Sequence, residues 1–151
     1  MEFCDGGDLS NFLTGSCRLP LVTTQRLAIH MAIALYALSV HKIVHRDIKP
    51  ANILLSITDS KPAPRNITFK LSDFGISRHL DQSKMASTIV GSPVYMAPEV
   101  IRGDAYDGRC DLWSLGCVLH EAYMGRSLFD VVDFLRMMAQ GPDGPPITVP
   151  E

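Results

Sequence analysis

Apolar residues recur at Leu27, Met31, Leu35 and Leu38, with spacings of four, four and three. Neighbours along one face of an α-helix stand three or four residues apart, so this run predicts an amphipathic helix over residues 24–41. Beyond it, Asn52-Ile-Leu-Leu and Ile67-Thr-Phe-Lys-Leu are short, rich in apolar and β-branched residues, and predict two strands. The polar, proline-bearing stretch between them, SITDSKPAPRN, predicts a surface loop. A second helix is predicted over 111–124, where Leu112, Trp113, Leu115, Val118 and Leu119 fall on nearly every side, the pattern of a helix covered all round. A third, over 129–139, is amphipathic and ends at Gly141-Pro142, after which proline and glycine are too frequent for regular structure. Gly6 and Gly7 predict a turn before a short helix, and no internal repeat is present.

With 151 residues the chain suits one compact domain, or part of one, and excludes a large two-lobed enzyme. Hydrophobic content of 46%, charged content of 20% and a net charge of −2 exclude a disordered chain and a basic nucleic-acid binder. Cys4, Cys17, Cys110 and Cys117 form neither a CxxC pair nor a zinc-spaced cluster with histidine, which predicts free, buried thiols in a reducing compartment. The opening MEFCDGGD is acidic and has no apolar core of a signal peptide. The longest apolar run, MAIALYALSV, is far shorter than the ~20 residues a spanning helix needs. A cytoplasmic chain with no transmembrane segment and no nucleic-acid partner is the expectation.

Three islands carry chemistry. His45-Arg46-Asp47-Ile48-Lys49-Pro50-Ala51-Asn52 comes first, Asp73-Phe74-Gly75 second, and Gly91-Ser92-Pro93-Val94-Tyr95-Met96-Ala97-Pro98-Glu99 third, followed by Asp111-Leu-Trp-Ser-Leu-Gly. An isolated Asp47 would be a turn former and an isolated Asp73-Phe-Gly a hairpin turn. In this order, with Lys49 and Asn52 at plus two and plus five from Asp47, the set resembles the C-terminal lobe of eukaryotic protein kinases. Within that superfamily MEFCDGGDLSNFL, the insert after ILLS, and GSPVYMAPEVI followed by YDGRCDLWSLG resemble the Unc-51-like, autophagy-initiating kinases. NIMA-related kinases, which share the PAN and the Cys-Asp-Gly-Gly-Asp-Leu start, are the second resemblance.

The resemblance implies an α+β, protein kinase-like fold, here a mainly helical C-terminal lobe with short β-hairpins and without the N-terminal lobe. It divides the chain into a hinge at 1–8, a catalytic loop at 45–52, an activation segment at 73–99 and a buried helix at 111–124. The implied reaction is transfer of the γ-phosphate of ATP to a serine or threonine hydroxyl of a protein, with ATP and Mg²⁺ as cofactors. By the same resemblance Asp47 accepts the substrate hydroxyl's hydrogen bond, Lys49 steadies the γ-phosphate, and Asn52 and Asp73 offer oxygens to Mg²⁺. Lys49 followed by proline resembles serine/threonine rather than tyrosine kinases. Ser92 would bridge Asp47 and Lys49, and Glu121 is the remaining acid for basic substrates, because Ala51 supplies none. The Glu2 carbonyl and Cys4 amide would meet the adenine edge, with Met1 behind it, Asp8 near the ribose and Leu54 beneath the ring. His45 and Phe74 would stack, Asp111 would hold the catalytic-loop backbone, and Arg46 would receive a phosphate placed by an upstream kinase at Thr88, or at Ser87 or Ser83.

No G-x-G-x-x-G run occurs in the 151 residues, and neither Arg126 nor Arg136 sits where a partner for Glu99 belongs. Two functions follow: a serine/threonine kinase whose catalytic lobe this is, inactive alone, or a non-catalytic kinase-like binding module. Either way, lobe-facing apolar surface predicts aggregation of the isolated chain.

Overall fold

Helix α2 (Leu21–Val40) organises the first core. Leu27, Met31 and Leu35 repeat every four residues on its inner face and are buried, with Leu38 partly buried behind them. A computed structural model describes residues 3–16, 18–57, 66–74, 78–79 and 92–139. The remaining elements are α1 (Leu9–Ser16), β1 (Ile43–Val44), β2 (Ile53–Ile57), β3 (Ile67–Leu71), β4 (Arg78–His79), α3 (Pro98–Ile101), α4 (Arg109–Met124) and α5 (Val131–Ala139), with 3₁₀ turns at Pro50–Asn52 and Pro93–Tyr95.

Strands β2 and β3 form an antiparallel hairpin with Ile53 opposite Leu71, Leu55 opposite Phe69 and Ile57 opposite Ile67. Ile53, Leu55, Ile67 and Phe69 all turn inward onto α2, as the two-residue period of a strand requires. The free edge of β2 is occupied by the turn at residues 5–8. The Gly6 amide donates to the Leu55 carbonyl at 2.9 Å, the Leu55 amide to the Gly7 carbonyl at 2.8 Å, and Asp5 Oδ1 accepts the Ile57 amide at 2.8 Å. Gly6 is required there: a Cβ would stand 2.8 Å from both the Cβ and the carbonyl oxygen of Leu55. Gly7 adopts φ +69°, which glycine takes without strain. Strands β1 and β4 make a second, two-residue pairing, Ile43 with His79 and Val44 with Arg78.

Helix α4 lies between two cores. Leu115, Val118 and Ala122 join Leu27, Met31, Leu55 and Phe69, while Cys110 and Cys117 join Val44, Met96, Val100, Ile101, Tyr106 and Phe129. Gly125, at φ +73°, ends the helix and donates to the Glu121 carbonyl. Helix α5 starts two residues later than its apolar pattern begins, because Asp130 and Asp133 cap it reciprocally: each carboxylate accepts the other's amide, at 2.9 and 3.1 Å.

Two sequence expectations change. The helix over 111–124 is covered on one side rather than all round: Leu112 is 58% exposed and Tyr123 45%. No described element lies over that flank, and an open cavity of about 500 Å³ runs between α2 and α4, lined by Leu35, Tyr36, Ile43, Leu112 and Leu115. Secondly, apolarity extends well beyond residues 31–40. Among the described residues α2 is the one helix long and apolar enough to cross a membrane by length and composition. Its contacts are those of a core helix, since one face packs on β3 and α4 while Val22, Ile29, Ile33, Tyr36 and Val40 point outward. Cys110 and Cys117 are free and buried, as expected; burial pushes both thiols up to about 12, so neither is a nucleophile at neutral pH. Cys4 is half-buried, and Cys17 lies outside the described residues.

Candidate active site

The loop between β1 and β2 is fastened from beneath. Asp111, near the start of α4 and buried, accepts the His45 amide at 2.8 Å and the Arg46 amide at 2.9 Å. Burial raises the Asp111 carboxyl above its ordinary range, although the two amides and the Arg46 charge pull it down. Arg46 consequently holds φ +71°, a left-handed conformation that a non-glycine residue adopts only where surrounding bonds enforce it. His45 is fully buried, its Nε2 is 3.0 Å from the Ser72 carbonyl, and its ring meets Phe74 edge-on at 5.0 Å between centroids. Asp111 beneath the loop agrees with the sequence expectation; His45 and Phe74 meet as expected, but edge to face rather than stacked.

Three side chains converge on Asp47. Lys49 Nζ lies 2.7 Å from Oδ2, the Asn52 amide nitrogen donates to Oδ2 at 3.0 Å and to the Asp47 carbonyl at 2.8 Å, and the Ser92 hydroxyl donates to Oδ1 at 3.1 Å. Burial alone would push this carboxyl up, but the bonds from Lys49, Ser92 and Asn52 outweigh it and hold Asp47 below the usual carboxylate range. The result is an ionised, fixed acceptor. Ser92 thus reaches Asp47, as expected, while Lys49 takes the carboxylate's other oxygen.

Asp73 arrives by strand register. Ile53 faces Leu71, so Asn52 and Ser72 leave the hairpin side by side, and the Ser72 amide and hydroxyl both donate to the Asn52 carbonyl, at 2.9 and 3.0 Å. Asp73 follows at φ +59° and is an exposed residue. Because the Asn52 nitrogen is given to Asp47, its amide oxygen faces away from that carboxylate. Among the described residues no three or more His, Cys, Asp or Glu are grouped so as to hold a metal ion. A metal here would rest on one carboxylate, one amide oxygen and donors supplied by its ligand.

At the same end of β2, Leu54 alternates outward from the core and bridges Asp8. The Asp8 carboxylate caps α1: Oδ1 accepts the Asn11 amide at 2.8 Å and Oδ2 the Asn11 side chain at 2.6 Å. Cys4 precedes the turn, half-buried. Glu2, together with Met1, Gly75, Ser83, Ser87, Thr88 and Gly91, lies outside the described residues.

Sequence reasoning missed four contacts. Tyr95 donates its hydroxyl to Glu121 Oε2 at 2.7 Å, and burial, then this carboxylate, raises the phenol far above its ordinary range. One oxygen of Glu121 is therefore engaged by Tyr95. Ser72 ties the two metal-ligand candidates together; its place directly before Asp73 is the only sequence signal of that. Arg26 and His30, one helical turn apart on α2, reach β3. Glu99 behaves as anticipated in one respect, since Arg136 pairs with Asp133 instead.

Residues 1–141 match the family model described as protein kinase domain. The chain is 45% identical over 131 residues to serine/threonine-protein kinase unc-51 of Caenorhabditis elegans, covering 85% of this chain and 15% of that protein. It is 43% identical over 130 residues to serine/threonine-protein kinase ULK1 of Homo sapiens, covering 85% and 12%. Against serine/threonine-protein kinase RUNKEL of Arabidopsis thaliana the identity is 43% over 141 residues, covering 91% and 10%. The chain therefore spans less than a fifth of each of these relatives.

Proposed function

Because the chain belongs to the protein kinase domain family, we propose that it carries the catalytic, C-terminal lobe of a serine/threonine protein kinase of the Unc-51-like kind. Its parts are then the hinge at 1–8, the catalytic loop at 45–52, the activation segment at 73–99 and the central helix at 111–124. The observation that carries this reading is the convergence of Lys49, Asn52 and Ser92 on one ionised Asp47. A turn-forming aspartate would need none of the three.

Asp47 is the acceptor that aligns the hydroxyl of a protein serine or threonine. Held below the ordinary carboxylate range, it is a weak base, so it orients the hydroxyl first and takes its proton late. Lys49, already within reach of Asp47, steadies the phosphate that moves, and the pairing keeps donor and acceptor in one frame. Ser92 locks the unused oxygen of Asp47 and ties the activation segment to the catalytic loop. Asn52 and Asp73 suit Mg²⁺ because both carry hard oxygen donors: Asn52 gives its nitrogen to Asp47 and keeps its oxygen, and Asp73 is an exposed residue. Bound with ATP, Mg²⁺ would neutralise the charge on the phosphates. Leu54, Cys4 and Glu2 would meet the adenine, as the family resemblance implies. Asp8 would approach the ribose while it caps α1. Arg46 would receive a phosphate at Thr88 from an upstream kinase, and the cytoplasm is the setting this chemistry suits.

The test is phosphorylation of a serine peptide by the full polypeptide that carries these residues. Asp47→Asn lowers kcat about a hundredfold or more and leaves nucleotide affinity within about twofold. Undiminished turnover overturns the role of Asp47. Nucleotide or partner binding by the unaltered polypeptide with no transfer at all favours a non-catalytic module instead.

A further inference from the structure

The hairpin that delivers Asn52 and Asp73 has two edges, and each is closed by different means. On the β2 edge the turn at residues 5–8 supplies backbone partners. On the β3 edge no further strand pairs among the described residues, and two of its outward polar groups, the Ile67 carbonyl and the Phe69 amide, are met instead by side chains. Side chains of α2 take both. Arg26 Nε donates to the Ile67 carbonyl at 2.9 Å, and His30 Nδ1 accepts the Phe69 amide at 3.1 Å. The match is geometric: four residues of helix rise about 6.0 Å, and two residues of strand advance about 6.8 Å, so one turn of α2 spans one outward repeat of β3. The His30 ring also lies against the Phe69 ring, 6.1 Å between centroids.

This splint has a direction. β3 ends at Leu71, and the next residue, Ser72, bonds Asn52 and stands 3.0 Å from His45 Nε2 through its carbonyl. Any slide of β3 along α2 therefore moves Ser72 and Asp73 relative to the catalytic loop, which α4 holds separately through Asp111. The loop and the hairpin are fastened to different helices, and Arg26 and His30 are the polar part of the hairpin's fastening.

We infer that Arg26 and His30 are positioning residues: by fixing β3 on α2 they set where Asp73 stands relative to Asp47 and Asn52, which hold each other directly, and so set the Mg²⁺ requirement of the reaction. The inference rests on the kinase reading for its consequence and on the hairpin geometry for its cause.

The experiment separates the two. In the full polypeptide, His30→Ala and Arg26→Ala raise the Mg²⁺ concentration for half-maximal activity about tenfold, while the KM for a serine peptide stays within about twofold. His30→Asn, whose amide oxygen stands near the Nδ1 position and accepts the Phe69 amide, restores the wild-type requirement. Amide hydrogen exchange without nucleotide is the readout independent of activity: the alanine variants speed exchange at residues 69–73 and leave residues 45–47 protected, and His30→Asn reverses the change. Faster exchange confined to Phe69, with an unchanged Mg²⁺ requirement, makes the splint merely structural and overturns the inference. A wild-type polypeptide with no activity defeats the kinase reading and leaves the exchange arm to decide whether the splint positions residues 72 and 73.

Discussion

Asp111 accepts the backbone amide of His45 at 2.8 Å across 66 residues of sequence. The same carboxylate takes the Arg46 amide, so one side chain of α4 sets the conformation of two consecutive residues next to Asp47. Removing it strands two amides where few other partners are at hand. Asp111→Ala lowers stability by about 2–4 kcal/mol, read as a shift in denaturant midpoint, since each buried unpaired amide costs about 1–3 kcal/mol. Asp111→Asn keeps one acceptor oxygen and loses less. An alanine variant as stable as wild type contradicts the anchoring role.

How much of this was legible in the sequence depends on range. Leu27, Met31 and Leu35 revealed α2 because their helical period is local, and Asp47, Lys49, Asn52 and Asp73 were named because the spacing within each island is short. The clustering of Ser92 on Asp47 was also anticipated, from the motif rather than from any local rule. Solvent exposure of Leu112 was not legible: its apolar character is the same whether or not an element covers it. Nor was the capping role of Asp8, which competes with a ligand role at the same carboxylate. Arg26 and His30 escaped because nothing in a helix's own sequence says which strand carbonyl or amide its polar residues will meet.

The turn at residues 5–8 gives a steric prediction with an internal control. At Gly6 a new Cβ meets the Cβ and carbonyl of Leu55 at 2.8 Å, and the carbonyl cannot give way without breaking its bond from the Gly6 amide. At Gly7 a Cβ meets nothing within 4 Å, and the only cost is that of φ +69°. Gly6→Ala therefore destabilises by about 2–3 kcal/mol through clash and lost pairing, and Gly7→Ala by about 1–2 kcal/mol through backbone strain. Thermal melts of both variants check the order, and the reverse order rejects the packing described for this edge.

Acid should act on the α2–β3 contact before it acts on Asp47. Burial first, and Arg26 second, hold His30 below its ordinary 6.5. A histidine depressed in the fold takes up protons more readily when unfolded, so the stability it supports is complete above about pH 6.5 and is lost as pH falls below that. The direction agrees with geometry, because protonating Nδ1 removes the lone pair that accepts the Phe69 amide. Asp47, also lowered, keeps its contribution until pH falls below its ordinary 3.8. Melting temperature should drop between pH 7 and pH 5 in the wild type and drop less in His30→Asn; equal slopes remove His30 from the pH response.

Tyr95 and Glu121 form a coupled pair between the Pro93–Tyr95 turn and α4. Tyr95→Phe leaves a half-buried carboxylate without its donor, at a cost of about 1–2 kcal/mol. Glu121→Gln keeps an acceptor oxygen and removes the charge. A double-mutant cycle over the two positions should give a coupling of about 1 kcal/mol, because the bond is neutral on one side and charged on the other. A coupling of zero reduces the 2.7 Å contact to proximity.

The outward face of α2 makes the last prediction. Val22, Ile29, Ile33, Tyr36 and Val40 recur at spacings of seven, four, three and four, and each is more than half exposed. Leu112, across the cavity between α2 and α4, extends the same apolar surface. Six large apolar side chains grouped on one flank make a patch of the kind that drives self-association, and no described element covers it. The 151-residue chain in isolation should therefore leave solution at micromolar concentrations. The inner face makes a different demand, since Leu27 and Met31 are buried and their loss opens the first core. Ile33→Glu combined with Leu112→Arg should raise the concentration at which the isolated chain stays monomeric, with little change in melting temperature, because both side chains already face water. Leu27→Ala should cost about 2–5 kcal/mol and worsen association by populating unfolded chain. Sedimentation of the three proteins decides it: association unchanged by the outer pair, or relieved by Leu27→Ala, would mean that the exposed stripe is not the surface that sticks.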